Sequence, residues 1–355
     1  KPSERMTHQE RGRLFFLLSG EHPELPQAEV RAILEAERVP YAIVSSEYKL
    51  LMLESSLRAL ESVGARSLMV ECCGKVVSET RFEGSVIKKL SNSLHLSDFV
   101  SEGETFAVRS VRVAGALRRL GRERLERDLG RLILKEGPRA KVDLRRPQKT
   151  FLAILSPGKV TLGLVAKVRE KGAVSRRRPR KRPYFHPSTM PPKLARCMVN
   201  LARPRAGEVL LDPFCGAGGH LIEGGLIGCR VIGADVKRRM ILGASRNLAH
   251  FGVKPEGLLL SDARHMPFLR ADAIVTDPPY GRGASTIRLP PTELLSDFLD
   301  EVPNVLRKGS FVCLAAPKEA GLAGIFAGAG LQLVESYEIY VHRSLTRQVS
   351  VLRLS

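Results

Sequence analysis

The chain has no tryptophan, and aromatic residues make up only 5% of its 355 positions. Extensive aromatic platforms for stacking unpaired bases are therefore not expected. No apolar run approaches the roughly 18 residues that cross a bilayer, and no signal peptide stands at the charged N-terminus. A cytoplasmic protein without a membrane partner is expected. The six cysteines contain no Cys-x-x-Cys pair, so a structural zinc site is not expected and reduced thiols are. Acidic residues are also short: 37 Asp and Glu stand against 57 Lys and Arg, a net charge of +20. That imbalance favours a polyanionic partner, nucleic acid first and an acidic membrane surface second. The length implies two or three domains, each able to bury a core.

Two stretches carry chemistry. Gly207-Glu208-Val209-Leu210-Leu211-Asp212 reads as a buried strand ending in an acid. It runs into Pro213-Phe214-Cys215-Gly216-Ala217-Gly218-Gly219 and an apolar segment from His220 to Ile227. Strand, Gly-rich turn and helix open a nucleotide-binding α/β fold. Leu221 stands where a dinucleotide site needs its third glycine, and no Lys-Ser/Thr pair follows, so pyrophosphate and triphosphate loops are disfavoured. Cys215 reads as a small residue packed beside a ligand rather than as a nucleophile. Arg230 to Asp235 is a second strand ending in an acid, about 20 residues past the turn, where such folds place a carboxylate on ribose hydroxyls.

The other stretch is Asp277-Pro278-Pro279-Tyr280, directly after the apolar run Ala271 to Thr276. An acid, two prolines and an aromatic form a rigid ledge for a planar amine. The carboxylate and a proline carbonyl accept hydrogen bonds from an exocyclic NH2, and the ring stacks on what carries it. Prolines fix φ and remove donors, so this edge presents acceptors only. A strand followed by an ordinary Pro-rich turn is the plainer alternative.

The first half is organised differently. Leu14–Leu18, Ala28–Glu37, Tyr41–Val44, Tyr48–Leu53, Leu57–Val63 and Ser67–Val70 give the order βαββαβ of a ferredoxin-like sheet. From Lys75 to Val168 a second unit follows, with a strand at Thr105–Val113, an Arg-rich helix at Leu120–Leu134, and strands at Val142–Pro147, Phe151–Leu155 and Val160–Val168. The densest charge lies between the halves: Arg169, Lys171, Arg176, Arg177, Arg178, Arg180, Lys181 and Arg182, interrupted by one acid, Glu170. Such a run grips phosphates in a salt-dependent, sequence-independent way; a solvated linker or a localisation signal is the plainer reading.

The ordered set Asp-Pro-Phe-Cys-Gly-Ala-Gly-Gly, Gly-Ala-Asp, Ser-Asp-Ala and Asp-Pro-Pro-Tyr-Gly resembles the amino-group methyltransferases that use S-adenosylmethionine without a metal. The resemblance implies that Asp212, Gly216 and Gly218 lie under the methionine part of the cofactor and that Pro213 also binds it. It puts Asp235 at the ribose, Asp262 and Ala263 at the adenine, and Thr189 near the methionine end, with Val236 also binding the cofactor. Asp277, Pro278 and Tyr280 would be catalytic, with Asp277 also beside the cofactor. The Lys75–Val168 segment resembles the THUMP domain of RNA-modifying enzymes, most clearly at Val142–Pro147 and Leu162–Leu164. Together with the continuation through Arg282, the chain is similar to the archaeal tRNA guanosine-10 N2-methyltransferase family. That resemblance implies transfer of one or two methyls to guanine N2 in tRNA by a single chain, a monomer with no obligatory protein activator. Arg109, Arg112, Arg145, Arg146, Arg176, Arg177, Arg178 and Arg282 are the candidate RNA contacts.

The expected fold is α/β: a Rossmann-like class I methyltransferase domain preceded by an α+β half, ferredoxin-like plus THUMP. The expected divisions are 1–74, 75–168, a basic linker at 169–185, and 186–355. Guanine N2 is a poor nucleophile because its lone pair is delocalised; hydrogen bonds to Asp277 and the Pro278 carbonyl favour sp3 character as the methyl arrives. Three readings compete: a tRNA guanine-N2 methyltransferase, acting at guanosine 10 or another RNA guanine; a DNA adenine-N6 or protein glutamine methyltransferase; and a non-catalytic RNA-binding protein. The THUMP-like half and basic hinge disfavour the second. Intact acids at Asp212, Asp235, Asp262 and Asp277 disfavour the third.

Overall fold

The computed structural model describes residues 11–83, 86–91, 99–136, 139–268, 270–279, 291–343 and 345–355. In chain order the N-terminal elements are β1 (Arg11–Leu18), α1 (Leu25–Ala36), β2 (Tyr41–Glu47), β3 (Leu50–Ser56), α2 (Arg58–Arg66) and β4 (Val70–Arg81). They are followed by α3 (Val86–Ser91), β5 (Thr105–Arg112), α4 (Arg122–Glu136), β6 (Lys141–Val142), β7 (Lys149–Ser156) and β8 (Lys159–Val168). After α5 (Lys171–Arg176) and α6 (Pro192–Leu201) come β9 (Val209–Asp212), α7 (Gly219–Gly225), β10 (Arg230–Asp235), α8 (Arg238–His250), β11 (Gly257–Leu260) and β12 (Ala271–Thr276). The chain ends with α9 (Pro291–Val305), β13 (Leu306–Pro317), α10 (Ala323–Gly328), β14 (Leu331–His342) and β15 (Leu345–Leu354).

The chain divides into two compact units, the first comprising residues up to Pro23, Val39–Gly64 and Val70–Arg169, the second the remainder. In the first, one sheet of eight strands runs β2-β3-β1-β4-β8-β7-β5-β6. Its first four strands pair antiparallel throughout, the ferredoxin-like order. The 12-residue β4 carries this sheet into the next segment, pairing β1 on one side and β8 on the other, so position 74/75 lies inside a strand. α4 packs Leu125, Leu129 and Ile133 against Phe106, Phe151 and Ala153 of the sheet.

One expected strand is mostly absent. Of Val142–Pro147 only Val142 joins a ladder, the two-residue parallel β6 that it forms with Lys141. Asp143 Oδ1 then accepts the backbone N–H groups of Arg145 and Arg146, at 2.8 and 3.0 Å. A side chain that captures its own backbone donors converts a strand into a turn.

The second unit is a seven-stranded sheet ordered β11-β10-β9-β12-β13-β15-β14, parallel from β11 to β13, with β15 antiparallel to both neighbours. Both faces are covered, as parallel sheets require. Leu210, Ala273, Val275 and Cys313 pack into one core, while Leu211, Ile274, Val312 and Leu314, alternating with them, pack into the other. α1 also belongs to this unit: Leu25, Ala28 and Ala32 join the first core beside Ala195 and Met198 of α6. Glu29, fully buried on α1, is satisfied by Asn200 Nδ2 at 2.9 Å, Ser67 Oγ at 2.5 Å and the Met69 N–H at 3.2 Å. Burial nonetheless raises its pKa, because three donors do not replace bulk water around a carboxylate.

Candidate cofactor and amine site

Parallel α/β sheets bind ligands beyond the carboxyl ends of their strands, at the point where strand order reverses. Here that point lies between β9 and β12, which pair through Ala273–Leu210 and Ile274–Leu211. Asp212 ends β9, Asp235 ends β10, and Asp277 follows β12, so three of the expected acids stand along one edge. Asp262 follows β11 at the same edge.

Asp212 is almost fully buried. Its Oδ1 accepts from Thr276 Oγ1 at 2.8 Å and the Phe214 N–H at 3.2 Å, and its Oδ2 lies 2.9 Å from His220 Nδ1. This carboxylate clamps the ends of β9 and β12 to the start of α7. Gly216 and Gly218, at φ +50° and +80°, make the left-handed turn between them. The space over Gly216 is open: an added Cβ would meet only the Phe214 carbonyl, 4.0 Å away. Cys215 is packed against Gly233, where a Cβ would stand 3.1 Å from its sulfur. Burial pushes its thiol far up, which removes it as a nucleophile.

Asp235 accepts the Gly216 N–H on Oδ2 at 3.1 Å and the Lys237 N–H on Oδ1 at 2.8 Å. Each oxygen keeps a further lone pair for a hydroxyl donor. Burial raises its pKa despite those two backbone donors. Val236 beside it is exposed at 40%. Asp262 is held by Arg264, whose Nη2 lies at 2.7 Å, and this bond keeps its carboxyl below the ordinary value. Ala263 is buried. Thr189 lies near the same turn: a Cβ on Gly219 would stand 3.8 Å from its Cγ2.

At Asp277 the arrangement is asymmetric. Arg347 Nη2, on β15, donates to Oδ2 at 3.3 Å, while Oδ1 is buried with no hydrogen-bond partner among the described residues. Burial pushes the carboxyl up to about 6, against the pull of Arg347 and His220. Pro278 is buried and Pro279 half-buried. His220 Nε2 is likewise buried without a partner among the described residues. Tyr280 and Arg282 lie outside the described residues.

Sequence reading missed Arg347, which belongs to no motif and reaches Asp277 across 70 positions. It also missed Asn247, whose Nδ2 donates to the Tyr184 and Ala217 carbonyls at 3.0 and 2.9 Å while its Oδ1 accepts the Tyr184 N–H. That amide ties the segment after the basic run to the Gly-rich turn; a lone Asn on the apolar face of α8 was the signal.

The basic residues fall into distinct groups. In the first unit Arg109, Arg145 and Arg146 are exposed, and Arg109 Nη2 donates to the Leu144 carbonyl at 2.5 Å, so all three meet at one turn. Arg112 is half-buried and turned to the Leu120 carbonyl. In the linker Arg176 and Arg178 are exposed, with Arg176 paired to Glu170 at 3.1 Å. Arg177 is not a free surface cation: its Nε lies 2.9 Å from Glu223, a fully buried carboxylate that also holds Arg196 at 2.8 Å. Among the described residues no group of three or more His, Cys, Asp or Glu is placed to hold a metal, and no helix is long and apolar enough to cross a membrane.

Counted from β9, the strand order is 3-2-1-4-5-7-6 with the seventh strand reversed. With acids at four strand ends and Asp-Pro-Pro after the fourth, this defines a class I, S-adenosylmethionine-dependent methyltransferase. Residues 179–348 match the RMKL-like methyltransferase domain, and residues 85–165 match the THUMP domain. The chain is 36% identical over 340 residues to the tRNA (guanine(10)-N2)-dimethyltransferase of Methanothermobacter thermautotrophicus, covering 96% of this chain and 98% of that one. It is 30% identical over 362 residues to the protein so named from Methanocaldococcus jannaschii, covering 95% and 99%. TrmN from Thermus thermophilus shares the fold, with a TM-score of 0.56 at 19% identity over 97% of this chain and 100% of that structure. The chain belongs to the tRNA (guanine(10)-N2)-methyltransferase family.

Proposed function

We propose that this chain transfers methyl groups from S-adenosylmethionine to N2 of guanosine 10 in tRNA, adding a second methyl as the names of its archaeal relatives state for them. The observation that carries the reading is Asp277: one carboxylate oxygen is held by Arg347, and the other is a buried acceptor without a donor among the described residues. A buried acceptor left unmatched is costly, and an exocyclic NH2 supplies the missing N–H. The residues fit the cofactor as well. The open face of Gly216, the remaining lone pairs of Asp235, and Asp262 with Ala263 offer places for its methionine, ribose and adenine parts. Thr189, Pro213, Gly218 and Val236 border them.

Bound S-adenosylmethionine supplies an electrophilic methyl group on a sulfonium. The chain's own residues do the rest. Asp277 Oδ1 and the Pro278 carbonyl accept hydrogens from the guanine NH2 and draw its lone pair out of conjugation, toward the incoming methyl. After transfer Asp277 takes the surplus proton and passes it to water. Arg347 fixes the carboxylate so that Oδ1 points to the amine. Tyr280 stacks on the guanine, which leaves its helical stack to arrive.

In the same reading Arg109, Arg112, Arg145, Arg146, the outward linker cations Arg176 and Arg178, and Arg282 contact the tRNA backbone. The first compact unit, with the outward linker cations, then captures RNA, and the second carries the chemistry. The enzyme works as a cytoplasmic monomer without a protein activator; its elution volume alone and with tRNA checks that part. Incubation with labelled S-adenosylmethionine and separate tRNA, ribosomal RNA, DNA and protein pools tests the whole. Label entering only tRNA supports it, and label entering DNA or protein favours the amine or amide methyltransferases of other substrates.

A further inference from the structure

Arg182 carries a charge that nothing in the described chain neutralises directly. It is 5% exposed, its Nε donates to the Arg177 carbonyl at 2.9 Å, and both terminal nitrogens, Nη1 and Nη2, are buried with no hydrogen-bond partner among the described residues. The nearby carboxylate, Glu223, is already engaged by Arg177 and Arg196 at 2.9 and 2.8 Å. Three guanidinium groups therefore gather around one buried carboxylate. Burial pulls Arg182 below its ordinary value, with Glu223 opposing and Arg177 adding to the fall. An unmatched buried charge of this kind is destabilising unless something pairs with it.

Its position says what. Gly219 begins α7, immediately after the Gly216–Gly218 turn. A Cβ built there would stand 3.7 Å from Arg182 Nη1 and 3.8 Å from Thr189 Cγ2. One point beside the turn is thus within 4 Å of both the guanidinium and the threonine. With no side chain at Gly219, a group placed at that point meets both at ordinary contact distance, without a clash. A tRNA phosphate suits an exposed cation, and Arg178 and Arg180 in the same segment are exposed; Arg182 is turned inward. The guanidinium fork matches a planar carboxylate through two parallel N–H···O bonds.

We propose that Arg182 binds the α-carboxylate of the cofactor's methionine moiety, which makes the inward half of the basic run part of the cofactor site rather than the RNA grip. The assignment rests on the cofactor reading above. It takes the second binding element from a segment whose composition reads as nucleic-acid contact. Arg177, locked on Glu223, then acts as the strut that holds Arg182 through its carbonyl.

Calorimetry on the full chain separates the possibilities without any turnover. The probes are S-adenosylhomocysteine, its carboxyl methyl ester, and 5′-methylthioadenosine, which lacks the amino-acid part. Wild type should bind S-adenosylhomocysteine roughly 10- to 100-fold tighter than the ester, the range of a charge-assisted bond to a carboxylate. Arg182→Met should lose that preference while its Kd for methylthioadenosine stays within about twofold of wild type, an internal proof of folding. Should Arg182→Met not fold, Arg182→Lys decides by the same ratio, because it keeps a charge but not the fork. Equal losses for acid and ester in the variant, or loss of tRNA affinity with the ratio intact, would overturn the assignment. If wild type binds neither S-adenosylhomocysteine nor methylthioadenosine, the cofactor reading itself fails, and the assignment with it.

Discussion

Arg347 Nη2 lies 3.3 Å from Asp277 Oδ2, joining the reversed strand β15 to the end of β12. Both side chains are largely withdrawn from water, at 11% and 15% exposure, so the contact is not a surface pair of negligible worth. It orients a carboxylate whose other oxygen is left for substrate. Replacing Arg347 with Met should lower kcat by roughly 10- to 100-fold, the range for a lost charge-assisted hydrogen bond. It should also move the acid limb of the pH–rate profile upward, since Arg347 pulls the Asp277 pKa down. An unshifted limb would mean that Arg347 serves the fold only.

The acid limb itself follows from Asp277. Burial raises its carboxyl from 3.8 to about 6, and only the ionised form is a strong acceptor able to take the surplus proton. In the free enzyme kcat/KM should climb tenfold per pH unit below about 6 and level off above it. Rate measurements from pH 4.5 to 8 at constant ionic strength check this.

The same shift has a sign for stability. Asp277 binds a proton more tightly folded than unfolded, so its ionisation opposes folding. The cost is complete above about 6 and vanishes as pH falls through 3.8. The interval corresponds to roughly 3 kcal/mol as an upper figure. Asp277→Asn, which keeps an acceptor for Arg347, should therefore abolish transfer yet raise Tm at pH 8, with the gain shrinking toward pH 5. A lower Tm at pH 8 would contradict the burial argument.

Linker arginines should separate by where they point. Arg177→Ala removes one of two cations on the fully buried Glu223 and should destabilise the second unit by about 3 kcal/mol, as breaking a buried pair does. Arg178→Ala and Arg180→Ala, both exposed in the structure, should leave Tm unchanged and weaken tRNA binding. Urea unfolding and filter binding on the three variants distinguish the two effects.

In the first unit Asp143 organises the turn that presents Arg145 and Arg146. Neutralising both arginines should reduce the slope of log K against log salt for tRNA by about 1.4 to 1.8. An unchanged slope would exclude this turn from the phosphate contacts.

The site was legible in the sequence where its chemistry is local. Acids at strand ends, the glycines of the first turn and Asp277-Pro278-Pro279 all lie within short motifs, and β12 falls where its apolar run places it. What sequence did not reveal depends on pairing at a distance. Arg347 meets Asp277 only because β15 reverses beside β13. Arg177 and Arg182 look like surface charge until Glu223 is folded beneath them. α1 reads as part of the N-terminal sheet, yet Glu29 fixes it to Asn200 in the second unit. Val142–Pro147 carries strand-forming residues, but Asp143 diverts the backbone directly after Val142. Charge, in particular, does not announce its direction in a sequence; only the partner does.

The most direct test of the account is chemical. Unmodified tRNA transcript should be incubated with the chain and S-adenosylmethionine, digested, and analysed by mass spectrometry. Methylated guanosine should appear in the fragment containing position 10, with N2-methylguanosine first and N2,N2-dimethylguanosine accumulating from it. Neither product should form with Asp277→Ala, whose tRNA affinity should stay near wild type. Methylation of another base, or of that guanosine by Asp277→Ala at the wild-type rate, would contradict the account.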